Sequence, residues 1–210
     1  MERADLVTGA VQSGGRAPAE DDLRLVQDFV NTLDREHDND LLDGPEGLAA
    51  WLEHRGLVAG ELRHADAARA VEVREALRAL LLANNGGPAA PGAHAVLEAA
   101  AQRARLEPSF GPAALVPASG GLDGAIGRVL AVAFAAMLDG RWERLKACPR
   151  DVCGWVFLDR SHANRGTWCS MRVCGNRVKA GAYYRRRSGQ RVAGTSAAGV
   201  DHGPADPQVL

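Results

Sequence analysis

Four cysteines, Cys148, Cys153, Cys169 and Cys174, are the only ones in this chain of 210 residues, and they are spaced C-x4-C-x15-C-x4-C. Two close pairs joined by a longer loop can put four thiolates at the corners of a tetrahedron, the coordination zinc favours. Each short loop holds or precedes a residue suited to a tight turn: Pro149 in the first, Gly154 after it, Gly175 after the second. Backbone N–H groups in such turns are also placed to hydrogen-bond sulfur. The alternative is four buried free thiols, which leaves the symmetry of the cluster unexplained. His162, inside the long loop, is placed to substitute for a cysteine. Four thiolates fill the sphere of one Zn2+ per chain and leave no open position, so the expected site is structural.

The same stretch is basic. Residues 148–191 carry ten Lys or Arg against two Asp or Glu, a net +8, whereas residues 1–147 carry 15 against 22, a net −7. A tetrathiolate zinc site has a formal charge of −2, so about +6 remains beyond what compensation requires. Such an excess on an acidic body points to a polyanionic partner. The candidate contacts are Arg165, Arg172, Arg177, Lys179, Arg185, Arg186 and Arg187, with Tyr183 and Tyr184 among them. On a helical wheel Lys179, Tyr183 and Arg186 share a side, as a phosphate-contacting helix of a DNA-binding module would require. Gly181 weakens such a helix by roughly 1 kcal/mol. The second reading is a solvated or protein-facing surface that zinc merely staples.

Upstream, apolar spacing is helical. Leu23, Val26, Val30 and Leu33 mark a first helix capped by Asp21 or Asp22, and Gly44-Pro45 opens a short one that Gly56 ends. A longer helix is expected from about Ala65 to Ala83, stopped by Asn84-Asn85-Gly86-Gly87, and another over 93–106. Prolines and glycines between Phe110 and Ser119 suggest a small hairpin. After Asp123 a strongly apolar helix, with Arg128 its only interior charge, is the natural centre of a bundle. The fold class expected is mainly α: a multihelical domain over 20–146, with a small α+β zinc-binding module over 147–188. Residues 1–19 and 189–210, polar and without periodicity, are expected to be disordered tails.

Six runs carry a resemblance. The runs Cys148-Pro-Arg-Asp-Val-Cys-Gly-Trp-Val-Phe-Leu and Arg165-Gly-Thr-Trp-Cys-Ser-Met, then Cys174-Gly-Asn-Arg-Val-Lys, resemble the CGNR zinc-finger family. Asp28-Phe-Val-Asn-Thr, Gly47-Leu-Ala-Ala-Trp-Leu and Val73-Arg-Glu-Ala-Leu-Arg-Ala-Leu resemble its usual companion, the ABATE domain. Members are described as transcriptional regulators linked to stress. The resemblance implies that the four cysteines bind zinc and that the module binds DNA. Gln27 departs from the pattern, which often has Leu there.

Other features read as structural. Asn176 and Asp159 suit caps or turns, and Trp155 and Trp168 suit a cover over the metal. The acidic run Glu36-His37-Asp38-Asn39-Asp40 reads as a solvated loop, and Gly121, Gly124 and Gly127 as a glycine-rich helix start rather than a phosphate loop. Asn31 and Thr32 are either a helix C-terminus or a ligand-contacting pair in a sensory domain. No acid/base or nucleophile constellation is present, so no enzymatic activity is expected. The first twenty residues lack an apolar segment behind a basic start, and the longest apolar run, Val129–Leu138, is shorter than the roughly 20 residues that span a bilayer. The expectation is a cytoplasmic regulator with DNA as partner, no membrane, and a helical domain that binds a small-molecule effector or forms a homodimer.

Overall fold

The computed structural model describes residues 2–9, 12, 15–57, 60–181, 183 and 184. Helices α1 (Arg3–Thr8), α2 (Leu23–Val30), α3 (Pro45–His54), α4 (His64–Ala83), α5 (Pro91–Ala104) and α6 (Gly121–Leu138) dominate it. Three antiparallel strand pairs join them: β1 (Leu33–Asp34) with β2 (Asn39–Asp40), β3 (Leu106–Ser109) with β4 (Ala114–Pro117), and β5 (Leu145–Ala147) with β6 (Val156–Leu158). The mainly α class and the hairpin are as the periodicity predicts, although the helix expected over 93–106 ends at Ala104. Arg105 there takes a left-handed conformation and Leu106 begins β3.

α6 packs against α2, α5 and β4, and α4 packs against α2, α5 and β5. α6 is apolar and long enough to cross a membrane by length and composition, but half of it is buried in this fold. Glycine is required at its start for space: a Cβ on Gly127 would lie 2.7 Å from the Cβ of Ala104 and 2.9 Å from that of Pro117, and one on Gly124 would lie 2.3 Å from the Ser119 carbonyl oxygen. These glycines let β4 and the end of α5 close on the helix.

The first nineteen residues are a correction. Instead of a disordered tail, Arg3–Thr8 is helical and buries Leu6, and Arg3 donates to the Leu41 carbonyl and pairs with Asp43. Arg55 donates to the Val7 carbonyl at 2.5 Å, and Arg16 donates to the carbonyls of Cys169 and Trp168. The segment is polar because its partners are backbone carbonyls of the body, which composition does not reveal. The tail expected over 189–210 lies outside the described residues.

One apolar cluster runs from Leu6 through α2, α4 and α6 to Cys174. A seam of buried polar bonds crosses the same boundary. Asn31 accepts from the Val156 N–H at 2.8 Å and donates to its carbonyl at 2.9 Å, so the side chain continues the edge of β6 as another strand would. Gln27 also donates to that carbonyl and accepts from the Ala19 N–H. A Leu at this position could make neither bond, so Gln27 ties three segments together. Arg78, 4% exposed, donates to the carbonyls of Gly154 and Val30. Burial lowers its pKa to about 10, with Glu75 opposing the shift. Asn84 and Asn85, expected only as helix terminators, donate to the carbonyls of Leu145 and Ala147.

Candidate metal centre

β5 and β6 present the first pair of cysteines. The ladder continues past Ala147 with the Cys148 N–H donating to the Trp155 carbonyl, and the chain turns back between them. Cys153 and Gly154 both donate to the Arg150 carbonyl to close that turn. Gly154 has φ +60°, which favours a residue without a side chain. The second pair is built on a wide helical turn, Met171–Gly175, in which Cys174 donates to the Ser170 carbonyl. The Ser170 hydroxyl accepts from the Val173 N–H. Ser170 is therefore the N-cap that the sequence suggested at Asn176, because the helical backbone already begins at Met171. It continues through 176–181, 183 and 184.

The four Sγ atoms lie within 4.8 Å of one another, and all four residues are buried. Two edges are 3.6 Å (Cys153–Cys169) and 3.5 Å (Cys169–Cys174). Zinc–sulfur bonds of about 2.3 Å set tetrahedral edges of about 3.8 Å, so the donor set fits one zinc ion. Side-chain bonds with Cys153 and Cys169 lower the Cys148 thiol most, and backbone N–H groups of Cys169 and Arg150 add to this. Cys153 is pushed up by its bonds to Cys148 and Cys169 and by burial. Four thiols this close cannot all ionise without a cation, and a dication relieves that conflict. With four thiolates bound, the ion's chemistry is structural. His162 is exposed and is not among the ligands.

A second charged pair braces the loop between the cysteine pairs. Lys146 Nζ donates to Asp159 Oδ2 at 2.9 Å, with side-chain exposures of 4% and 1%. Asp159 also accepts from the N–H groups of Ser161 and Gly166, and Lys146 donates to the Asn164 and Gly166 carbonyls. Burial opposes ionisation of Asp159, yet Lys146 and those N–H groups hold its carboxyl well below the usual range. Trp155 is buried and its Nε1 donates to Gln12, which ties it to the N-terminal segment. Trp168 is half-buried against Gly175, whose missing Cβ would lie 3.1 Å from its ring.

Arg165, Arg172, Arg177 and Lys179 are all exposed around this centre, whereas Arg185, Arg186 and Arg187 lie outside the described residues. Arg177 pairs with Glu36. The side chains of Arg165, Arg172 and Lys179 make no ion pair among the described residues. Two functional residues escaped sequence reasoning. Arg150 donates to the Cys174 sulfur at 3.4 Å and to Glu36 at 3.5 Å. Its place inside the first cysteine loop was the available signal. The acidic loop is not simply solvated: Glu36 holds both arginines, and Asp40 binds the buried Arg74 through both oxygens.

Asn31, the C-cap of α2, and Thr32 are both engaged by the protein itself. Both are buried; the amide of Asn31 is engaged by Val156, and the Thr32 hydroxyl donates to the Phe29 carbonyl at 2.8 Å. The sequence could not distinguish an Asn that ends a helix from one that meets a remote strand. A groove of about 400 Å³ lies elsewhere, between α4, α5 and α6, lined by residues such as Leu77, Leu97, Leu130 and Phe134, with His94 and Glu98 at its mouth.

Comparison with known families agrees with this geometry. Residues 144–187 match the CGNR zinc finger, the segment that holds all four cysteines. Residues 23–141 match ABATE, described as "Putative stress-induced transcription regulator". No curated protein matches the chain. With more than half of its length matched, and with the zinc finger following directly, the chain belongs to the ABATE family and carries a CGNR zinc finger.

Proposed function

We propose that the protein is a DNA-binding transcriptional regulator in which the zinc module contacts the phosphate backbone, without catalytic chemistry. One observation carries the reading. Arg172, Arg177 and Lys179 stand exposed on the turn and helix that start from the second cysteine pair, with Arg165 exposed in the preceding loop. Zinc thus fixes the origin of a basic surface, and phosphate contacts of this kind position a protein on a duplex. The helical domain senses an effector or dimerises; the groove between α4, α5 and α6 is where a small apolar molecule would be accommodated.

Salt dependence tests the reading. Neutralising about five phosphates gives a slope of log K against log salt near −4 to −5. Replacing Arg165, Arg172 and Lys179 together by Ala should flatten that slope while leaving zinc content and melting unchanged. Duplex affinity that ignores salt, or survives the triple substitution intact, would show that the module is a protein-binding staple instead.

A further inference from the structure

Glu36 lies in the turn joining β1 to β2, and its Oε1 accepts from two guanidinium groups of the zinc finger at once. Arg150 comes from the loop between Cys148 and Cys153, and Arg177 lies just beyond Cys174. Arg150 is also held from behind by the Cys174 sulfur at 3.4 Å. Two guanidinium groups from separate turns that converge on one anionic oxygen match the recognition of a phosphate. The anion that fills the position here belongs to the helical domain.

We infer that Arg150 and Arg177 form a phosphodiester-binding pair of the zinc finger, and that Glu36 is an internal stand-in for the phosphate. The inference rests on the DNA-binding reading for the source of that phosphate. A carboxylate and a phosphodiester each carry one negative charge spread over two outer oxygens, so one can replace the other without a change in local charge. The side chain of Arg177 is 55% exposed and that of Glu36 is 28% exposed, which leaves the pair open to solvent on one side. Arg150 remains in place during the exchange, because a zinc tetrathiolate of formal charge −2 holds it independently of Glu36. The exchange also removes the ion pairs of Glu36 with the finger, which couples occupation of the pair by phosphate to the β1–β2 turn.

An ordinary bracing ion pair predicts the opposite sign. Removing a brace should weaken whatever the finger binds; removing a competitor should strengthen it. The experiment uses the full zinc-loaded chain and a short fluorescein-labelled duplex. Glu36→Gln should bind about three- to tenfold tighter than wild type, with a salt slope steeper by about one. Adding Arg177→Ala to Glu36→Gln should abolish both gains. In the unaltered protein, carbodiimide labelling of Glu36, read by mass spectrometry, should rise when the duplex is added. A Glu36→Gln protein with full zinc that binds no tighter than wild type, or labelling that does not rise in the complex, overturns the inference while leaving DNA binding intact. If neither protein binds duplex at low salt, both readings fall.

Discussion

Between α2 and α6 the interior consists of side chains such as Val26, Leu77, Val129 and Ala133, whereas between Lys146 and Gly175 it is built around four cysteines, Trp155, Val156, Phe157 and the buried Lys146–Asp159 pair. Apolar burial contributes roughly 1.5–3 kcal/mol per large side chain, has no preferred direction and needs no ligand. The zinc module has too few such side chains, and its order depends on a metal ion and on buried polar groups bonded to its own backbone, such as Lys146 and Asp159. The difference does not make two independent bodies. Arg78, Asn31, Gln27, Asn84 and Asn85 reach across from the apolar region to backbone carbonyls of the module. A region that folds by burial supplies donors to one that folds by ligation.

Metal removal should therefore have the largest effect and should cross the boundary. Structural zinc contributes about 10–16 kcal/mol of apparent binding energy to such modules. On chelation, amides around Cys174 should lose protection from hydrogen exchange together with those at the C-terminal ends of α2 and α4, while α5 and the middle of α6 stay protected. Loss confined to residues beyond 144 would mean that the seam follows the folding of the module without supporting it.

Breaking the buried pair comes next. Asp159→Asn leaves Lys146 charged and unpaired, and removing one partner of a buried pair costs about 3–5 kcal/mol. Because the carboxyl of Asp159 is held below its unfolded value, its stabilisation is fully present above an unfolded pKa of about 3.9 and is lost as pH falls through the lower folded value. The stability gap between wild type and Asp159→Asn should narrow below about pH 4; a gap independent of pH would mean that the carboxylate charge is not what stabilises the loop. Replacing Lys146 and Asp159 together by apolar residues should cost less than the single change.

A seam residue should have a smaller effect. Asn31→Ala removes two hydrogen bonds and leaves the Val156 N–H without its partner, a loss of about 1–3 kcal/mol read by urea unfolding. Unchanged stability would mean that the bonds of Asn31 to Val156 do not hold the seam together. Smallest of all, Arg172→Ala should alter stability by no more than about 0.5 kcal/mol, since its side chain is exposed and makes no ion pair among the described residues. A larger loss would place that side chain in the module's structure rather than on its binding surface.

The sequence by itself determined the four-cysteine cluster, the helices from α2 to α6 and the basic charge of the C-terminal segment. Each is written in local spacing: x4 loops for the metal, apolar residues three or four apart for helices, and a run of arginines for charge. It also located the helix starts at Pro45 and near Asp123, where backbone chemistry is local. Only the tertiary structure decided where long-range polar partners lie. That Asn31 meets Val156, that Arg16 reaches Cys169, and that Glu36 gathers Arg150 and Arg177 all depend on residues more than a hundred positions apart. A side-chain amide, guanidinium or carboxylate has the same composition on a solvated surface as in a buried bond, and no periodicity separates the two. The physical reason is that a polar group is buried only where a complementary group awaits it, and chain folding alone brings that partner there.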